Sequence, residues 1–204
     1  MQKQKPQWLE NTEFHSVINL PSDYYIHDFT EGDDPIPDNF QYSVGRYNEV
    51  RKEIYRSEIF LEGQRNIHMG IDIAGPVNEP VHSFCEGVLY KFTNNSSEGD
   101  YGPTLVYKHE INGQTLYALY GHLSLGSLKN KKEGQSVKKG EVIGWLGDRS
   151  VNGGWFPHVH FQLSLKQPIE ANLPGVVAAE DHIQALKDYP DPRWVLGPLY
   201  QDKE

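Results

Sequence analysis

The run Thr104-Leu105-Val106-Tyr107-Lys108-His109-Glu110-Ile111-Asn112-Gly113-Gln114-Thr115-Leu116-Tyr117-Ala118-Leu119-Tyr120 decides the fold class. Two stretches rich in aliphatic and aromatic residues flank Asn112-Gly113, a two-residue hairpin signal, so 104–109 and 114–120 read as antiparallel strands. The pattern continues outward. Upstream, residues 69–73, 81–84 and 87–93 read as strands; downstream, 141–146 and 159–165 do. Gly75-Pro76 and the polar run from Asn94 to Gly102 supply turns. Between Gly134 and Gly144, glycines flank two apolar points with lysines at a turn tip, the pattern of a compact barrel-sandwich hairpin. Nineteen glycines and thirteen prolines favour many turns over long helices. The fold class that follows is mainly β, a barrel or sandwich of antiparallel strands with short peripheral helices.

Tyr47, Val50, Ile54 and Tyr55 fall near helical spacing, and Arg51, Lys52, Glu53 and Arg56 are polar. That spacing predicts a helix over 47–60 covering one end of the β core. Residues 1–45 read as irregular, and 178–189 as a short helix before a proline-broken end. The organisation expected is an N-terminal extension over 1–66, a β core over 67–168 and a C-terminal tail over 169–204 packing on that core.

At 204 residues the chain is long enough for one domain with a sizeable core. The net charge of −9 disfavours nucleic acid and anionic membrane surfaces as partners. No apolar run approaches the ~20 residues of a membrane span. The polar stretch from Met1 to Glu10 has no apolar segment of a secretory signal, and the single cysteine, Cys85, excludes an internal disulfide. Both features lead to the expectation of a cytoplasmic protein, with export by a non-standard route as the alternative. Cys85 reads as a packed thiol.

Three short segments carry the chemistry: His68-Met69-Gly70-Ile71-Asp72, Tyr120-Gly121-His122-Leu123 and His158-Val159-His160. Zinc takes nitrogen and oxygen ligands tetrahedrally, and a catalytic site keeps one position open for water. His158 and His160 would share one strand face, because side chains alternate. His68 and Asp72 can converge if the chain turns into a strand at Gly70. Single pairs of this kind arise readily by chance among nine histidines. The weight rests on their order within a succession of strands that can bring His68, Asp72 and one member of the last pair together. The reading is a zinc hydrolase.

The resemblance that completes it runs through His68-Met69-Gly70-Ile71-Asp72, Pro80-Val81, Gly87-Val88, Tyr101-Gly102, Tyr120-Gly121-His122-Leu123-Ser124, the hairpin from Gly134 to Gly144, and His158-Val159-His160-Phe161. Over residues 67–165 the chain resembles the lysostaphin-type (LytM-like) zinc metalloendopeptidases. The resemblance implies a β core of the duplicated hybrid motif type and one Zn2+ per chain. It also implies His68, Asp72 and His160 as zinc ligands, His122 and His158 as catalytic partners flanking the water, and a peptide, such as one of peptidoglycan type, as substrate. The stretch from Gly147 to Pro157 departs from the family. Trp155-Phe156 stands where cell-wall enzymes carry small residues, so the wall of the substrate groove would differ. The flanks Gly45-Arg46-Tyr47-Asn48-Glu49-Val50-Arg51 and Gly153-Gly154-Trp155 resemble a non-exported subgroup found in multidomain proteins.

The other histidines carry ordinary readings. His109 and His82 belong to strands, while His15, His27 and His182 read as solvated. Tyr120 reads as packing; Asp148, Arg149 and Asn152 read as turn residues and second as groove contacts. The competing function is a catalytically silent metal-binding or regulatory module that recognises a peptide or partner protein on the same fold. A phosphocarrier using His122 and His158 is disfavoured, since the Asp72 carboxylate would repel a phosphoryl group.

Overall fold

The structure, a computed structural model, describes residues 5–61 and 64–202, so the first four residues of the polar amino-terminal stretch lie outside it. The Asn112-Gly113 signal forms the hairpin expected. Asn112 has φ 48° and Gly113 φ 79°, and two left-handed residues match the right-handed twist of the strands they join.

In chain order the strands are β1 (Tyr25–Ile26), β2 (Ser43–Gly45), β3 (Glu49–Val50), β4 (Ile67–His68), β5 (Ile71–Ala74) and β6 (Pro80–His82). Then come β7 (Gly87–Asn95), β8 (Gly102–Ile111), β9 (Gln114–Gly121), β10 (Ser136–Val137), β11 (Val142–Trp145), β12 (His158–Ser164) and β13 (Val176–Val177). The main sheet runs β1-β2-β5-β12-β9-β8-β7-β10, antiparallel except for the β1–β2 pair. Two smaller sheets, β11-β6 and β13-β4-β3, accompany it. The protein is mainly β and antiparallel, with three short helices, α1 (Glu58–Leu61), α2 (His182–Asp188) and α3 (Arg193–Leu196), among the described residues. None is long and apolar enough to cross a membrane.

Period-two alternation places the site. Leu105, Tyr107, Ala118 and Tyr120 face a large core, whereas Val106, Tyr117 and Leu119 face a smaller one on the other side of the sheet. On β12, Val159, Phe161 and Leu163 enter the large core. His158, His160 and Gln162 are thereby turned to the opposite face. On β5, Ile71 and Ile73 enter the same large core, which leaves Asp72 on the histidine side. The ladder then aligns Gly45, Asp72, His160 and Gly121 in one row across four strands.

The helix expected over 47–60 is replaced by strand β3 and a single helical turn, α1. Asn48 and Glu53 have φ of 57° and 58°, which no helix accommodates. Glu49 pairs with His68 in the β3–β4 ladder, and both Glu49 and Arg51 turn inward into buried polar contacts. Residues 178–189 yield the shorter α2, whose Ala185 packs with Ala171, Leu173, Val177 and Tyr189 in the smaller core.

Candidate metal centre

Gly70 lets the chain step from β4 to β5 beneath an imidazole: a Cβ there would lie 2.5 Å from both Cε1 and Nε2 of His160. His68 ends β4, and Asp72 stands opposite His160 between β5 and β12. Three donor atoms converge as a result. His68 Nε2 lies 3.0 Å from His160 Nδ1 and 3.2 Å from Asp72 Oδ1, and the third edge of the triangle is 3.1 Å.

Each of these atoms is held from behind. His68 Nδ1 donates to the Arg46 carbonyl at 2.8 Å, which leaves the Nε2 lone pair facing the centre. His160 Nε2 donates to Gln162 Oε1 at 3.0 Å, which leaves Nδ1 free in the same way. Gln162 is set as an acceptor there because its Nε2 donates to the Pro174 carbonyl. Asp72 Oδ2 accepts from Arg51 Nη1 at 2.8 Å, so Oδ1 completes the triangle. Three lone pairs within about 3 Å repel one another unless a cation lies among them, and partners that fix ring tautomer and carboxylate angle are what a metal site requires. Among the described residues, His68, Asp72 and His160 are the group able to hold a metal ion.

The charges agree with that role. Burial, reinforced by Arg51, lowers His68 to about 4, so the ring is neutral at pH 7. Burial opposes ionisation of Asp72, but His68, Arg51 and His158 outweigh it and hold the carboxyl well below its ordinary value. A neutral imidazole and an ionised carboxylate are the forms that bind metal.

His158 and His122 complete the floor. His158 Nδ1 donates to the Phe156 carbonyl at 2.6 Å, and its Nε2 is 3.6 Å from Asp72 Oδ1. His122 lies just beyond β9 at φ 60° and donates from Nδ1 to the Asn152 carbonyl at 2.8 Å. The two ring centroids are 4.4 Å apart. Burial, then the neighbouring His158 and His160, push His122 well down; burial likewise lowers His158. The five residues singled out in the sequence thus meet at one place.

Above them lies a cleft of about 690 Å3 whose walls include Phe29, Tyr55, Trp155 and Pro174. Trp155 contacts Tyr55 and Phe60 edge-on, at 6.1 and 6.4 Å, and donates from Nε1 to the Gly99 carbonyl. Phe156 lines the same cleft and is exposed. Arg149 lines it too, while Asn152 is buried in the turn beneath.

Several residues escape sequence reasoning. Gln162 shares the strand face of His160 two residues on, so strand periodicity alone could have found it. Arg51 reads as a polar helix position, and the flank it belongs to gives no sign of a role at the metal centre. His27, read as solvated, is instead largely buried beside the cleft, 2.8 Å from Ser43 Oγ. His109 is fully buried on the core face of β8.

A His–Asp–His donor set with both rings buried and the carboxylate half-buried, on an antiparallel β scaffold and flanked by two imidazoles under an open cleft, defines a metal-dependent class of protein. Residues 66–172 match peptidase family M23, and the chain belongs to that family. It is 33% identical over 111 residues to the peptidoglycan DD-endopeptidase ShyA of Vibrio cholerae, covering 52% of this chain and 23% of that protein. It is 34% identical over 104 residues to the L-Ala–D-Glu endopeptidase of Bacillus subtilis, covering 48% and 30%. The chain therefore spans about a quarter of the length of such relatives. Among solved structures, the catalytic domain of lysostaphin from Staphylococcus simulans matches with a TM-score of 0.46 and 23% identity, over 70% of this chain and 92% of that one.

Proposed function

We propose that the protein is a zinc-dependent metalloendopeptidase that hydrolyses a peptide bond in a peptidoglycan-type peptide. The observation that carries this reading is the triangle of His68 Nε2, Asp72 Oδ1 and His160 Nδ1. Its edges of 3.0 to 3.2 Å approach the roughly 3.4 Å edge of a tetrahedron with zinc–ligand bonds of about 2.0–2.1 Å. Two nitrogens and one oxygen suit zinc, and three ligands leave a fourth position open.

When bound, zinc supplies a Lewis acid that acidifies a water and polarises the scissile carbonyl. The chain's own residues do the rest. His158 and His122 anchor Nδ1 on backbone carbonyls, so each can accept or donate a proton at Nε2. Burial keeps both neutral near pH 7, ready to accept a proton. Whichever takes the proton of the attacking water becomes an imidazolium that stabilises the oxyanion and then returns that proton to the leaving amine. Arg51 and Gln162 hold the ligand geometry throughout. Trp155 and Phe156 shape the cleft, so the preferred peptide differs from one selected by a wall of small residues.

Bound metal in chain purified without chelator tests the site. About one zinc in the wild type, lost in Asp72→Ala and His160→Ala, is expected, followed by cleavage of cross-linked muropeptides. Zinc binding without cleavage of any such peptide would favour the silent module, a reading supported by the aromatic contacts of Trp155 at the cleft. Failure to bind zinc even after reconstitution would sink the metallopeptidase reading.

A further inference from the structure

Glu49 and Arg51 lie outside the stretch that matches the family, yet both are buried against the metal centre. Arg51 is held at every edge. Its Nε donates to Glu49 Oε2 at 3.0 Å, and its Nη1 donates to Asp72 Oδ2 at 2.8 Å and to the Tyr55 hydroxyl at 3.1 Å. The guanidinium also stacks 4.8 Å from the Phe29 ring. Glu49 is fixed in turn, since its Oε1 accepts from the Phe29 amide at 3.2 Å. Gly45 makes room: a Cβ there would lie 2.8 Å from Arg51 Nη2 and 3.1 Å from Asp72 Oδ2.

Two effects of Arg51 on a bound cation oppose each other. Its hydrogen bond turns Asp72 Oδ1 toward the two histidine nitrogens, which favours binding. Its positive charge, a few ångströms from the same site, disfavours it. Glu49 resolves the conflict by neutralising the guanidinium from the far side. We infer that Glu49 and Arg51 act as a charge-neutral clamp that orients Asp72 for metal while leaving the centre with the full negative charge of that carboxylate. Both are positioning residues supplied by the segment before the family core. The inference rests on the zinc reading above.

The test uses the full chain. Zinc affinity is measured by competition with a chromophoric chelator, the visible spectrum is recorded after cobalt substitution, and melting of the metal-free protein is followed alongside. Arg51→Met is expected to weaken zinc 10- to 100-fold, the usual cost of losing a partner behind a ligand. Glu49→Gln leaves the guanidinium charge uncompensated and should weaken zinc about tenfold. In the double variant the losses should not multiply, because removing Arg51 removes the charge that Glu49 balances. Its cobalt spectrum should shift while melting stays cooperative.

A folded double variant that binds zinc within twofold of wild type, with an unchanged spectrum, overturns the clamp. Should the Arg51 variants not fold, Glu49→Gln decides alone: affinity equal to or tighter than wild type overturns it. Wild-type protein that binds no zinc would overturn the zinc reading itself, and the clamp with it.

Discussion

Asp72 and His160 are direct partners across the β5–β12 ladder, and their facing atoms, Oδ1 and Nδ1, lie 3.1 Å apart. Two of the three candidate ligands are therefore positioned by sheet register rather than by loops. A slip of one residue in either strand would turn its ligand to the large core, so the hydrophobic pattern that fixes the register also fixes the site. Ile71, Ile73, Val159 and Phe161, all buried, hold that pattern.

Gly70→Ala tests how closely His160 depends on the backbone beneath its ring. The added methyl would meet the His160 ring at 2.5 Å, a backbone-anchored clash that the ring must relieve by moving. The expected outcome is a folded protein, destabilised by about 1–3 kcal/mol, with zinc stoichiometry well below one per chain. Full zinc occupancy by metal analysis would contradict the crowding seen here.

His122 and His158 are expected to behave differently from the ligands. Neither belongs to the converging donor group of His68, Asp72 and His160. His122→Ala and His158→Ala should each retain zinc and lose roughly 10²–10⁴-fold in kcat on a cleavable peptide, the range for loss of general acid–base catalysis. Zinc lost along with activity would make them ligands instead.

Asn152 sets the position of His122 through the turn that carries it. Its carbonyl accepts from His122 Nδ1, its side-chain amide donates to the carbonyls of Gly147 and Trp155, and its Oδ1 accepts from the Trp155 amide. Asn152→Ala leaves those buried groups without partners, at about 1–3 kcal/mol. Thermal melts should show the loss. Turnover of the folded variant should fall as well, because the Trp155 wall and the His122 anchor share this turn.

The legibility of the site follows from the range of each signal. The Asn112-Gly113 turn and the alternation along β8, β9 and β12 are local, and they are readable in sequence. The convergence of His68, Asp72 and one member of the His158–His160 pair is readable because motif order within strands limits where they can meet, while the parts of His122 and of each member of that pair are legible only through the family resemblance. The segment from Tyr47 to Phe60 is not. Glu49 takes its strand partner, His68, from across a long loop, and the left-handed turns fall at Asn48 and Glu53 without a glycine to mark them. Arg51 looks like a solvent-facing position until Asp72 and Glu49 are brought beside it. Long-range polar contacts of this kind override a helical spacing that is weak to begin with.

His109 gives the pH dependence of stability a source separate from the metal centre. It lies on the large-core face of β8, opposite to the face that carries the site, with its ring 4.4 Å from that of Phe84. Nδ1 donates to the Glu86 carbonyl at 2.8 Å, while Nε2 has no hydrogen-bond partner. Burial lowers the ring to about 4, against an ordinary value of 6.5. Between those values the unfolded chain binds the proton and the folded chain does not, so stability is present above about pH 6.5 and drains away as pH falls toward 4. Linkage puts the loss from this group at about 2 kcal/mol between pH 7 and pH 5. His109→Gln keeps a donor for the Glu86 carbonyl and cannot titrate. Urea unfolding of metal-free wild type and variant at both pH values isolates the effect, since the histidines of the metal centre titrate alike in the two proteins. The variant should lose about 2 kcal/mol less than wild type on acidification. Equal losses would mean that His109 is protonated as readily in the folded protein as in the unfolded chain, and that the acid sensitivity arises at other groups.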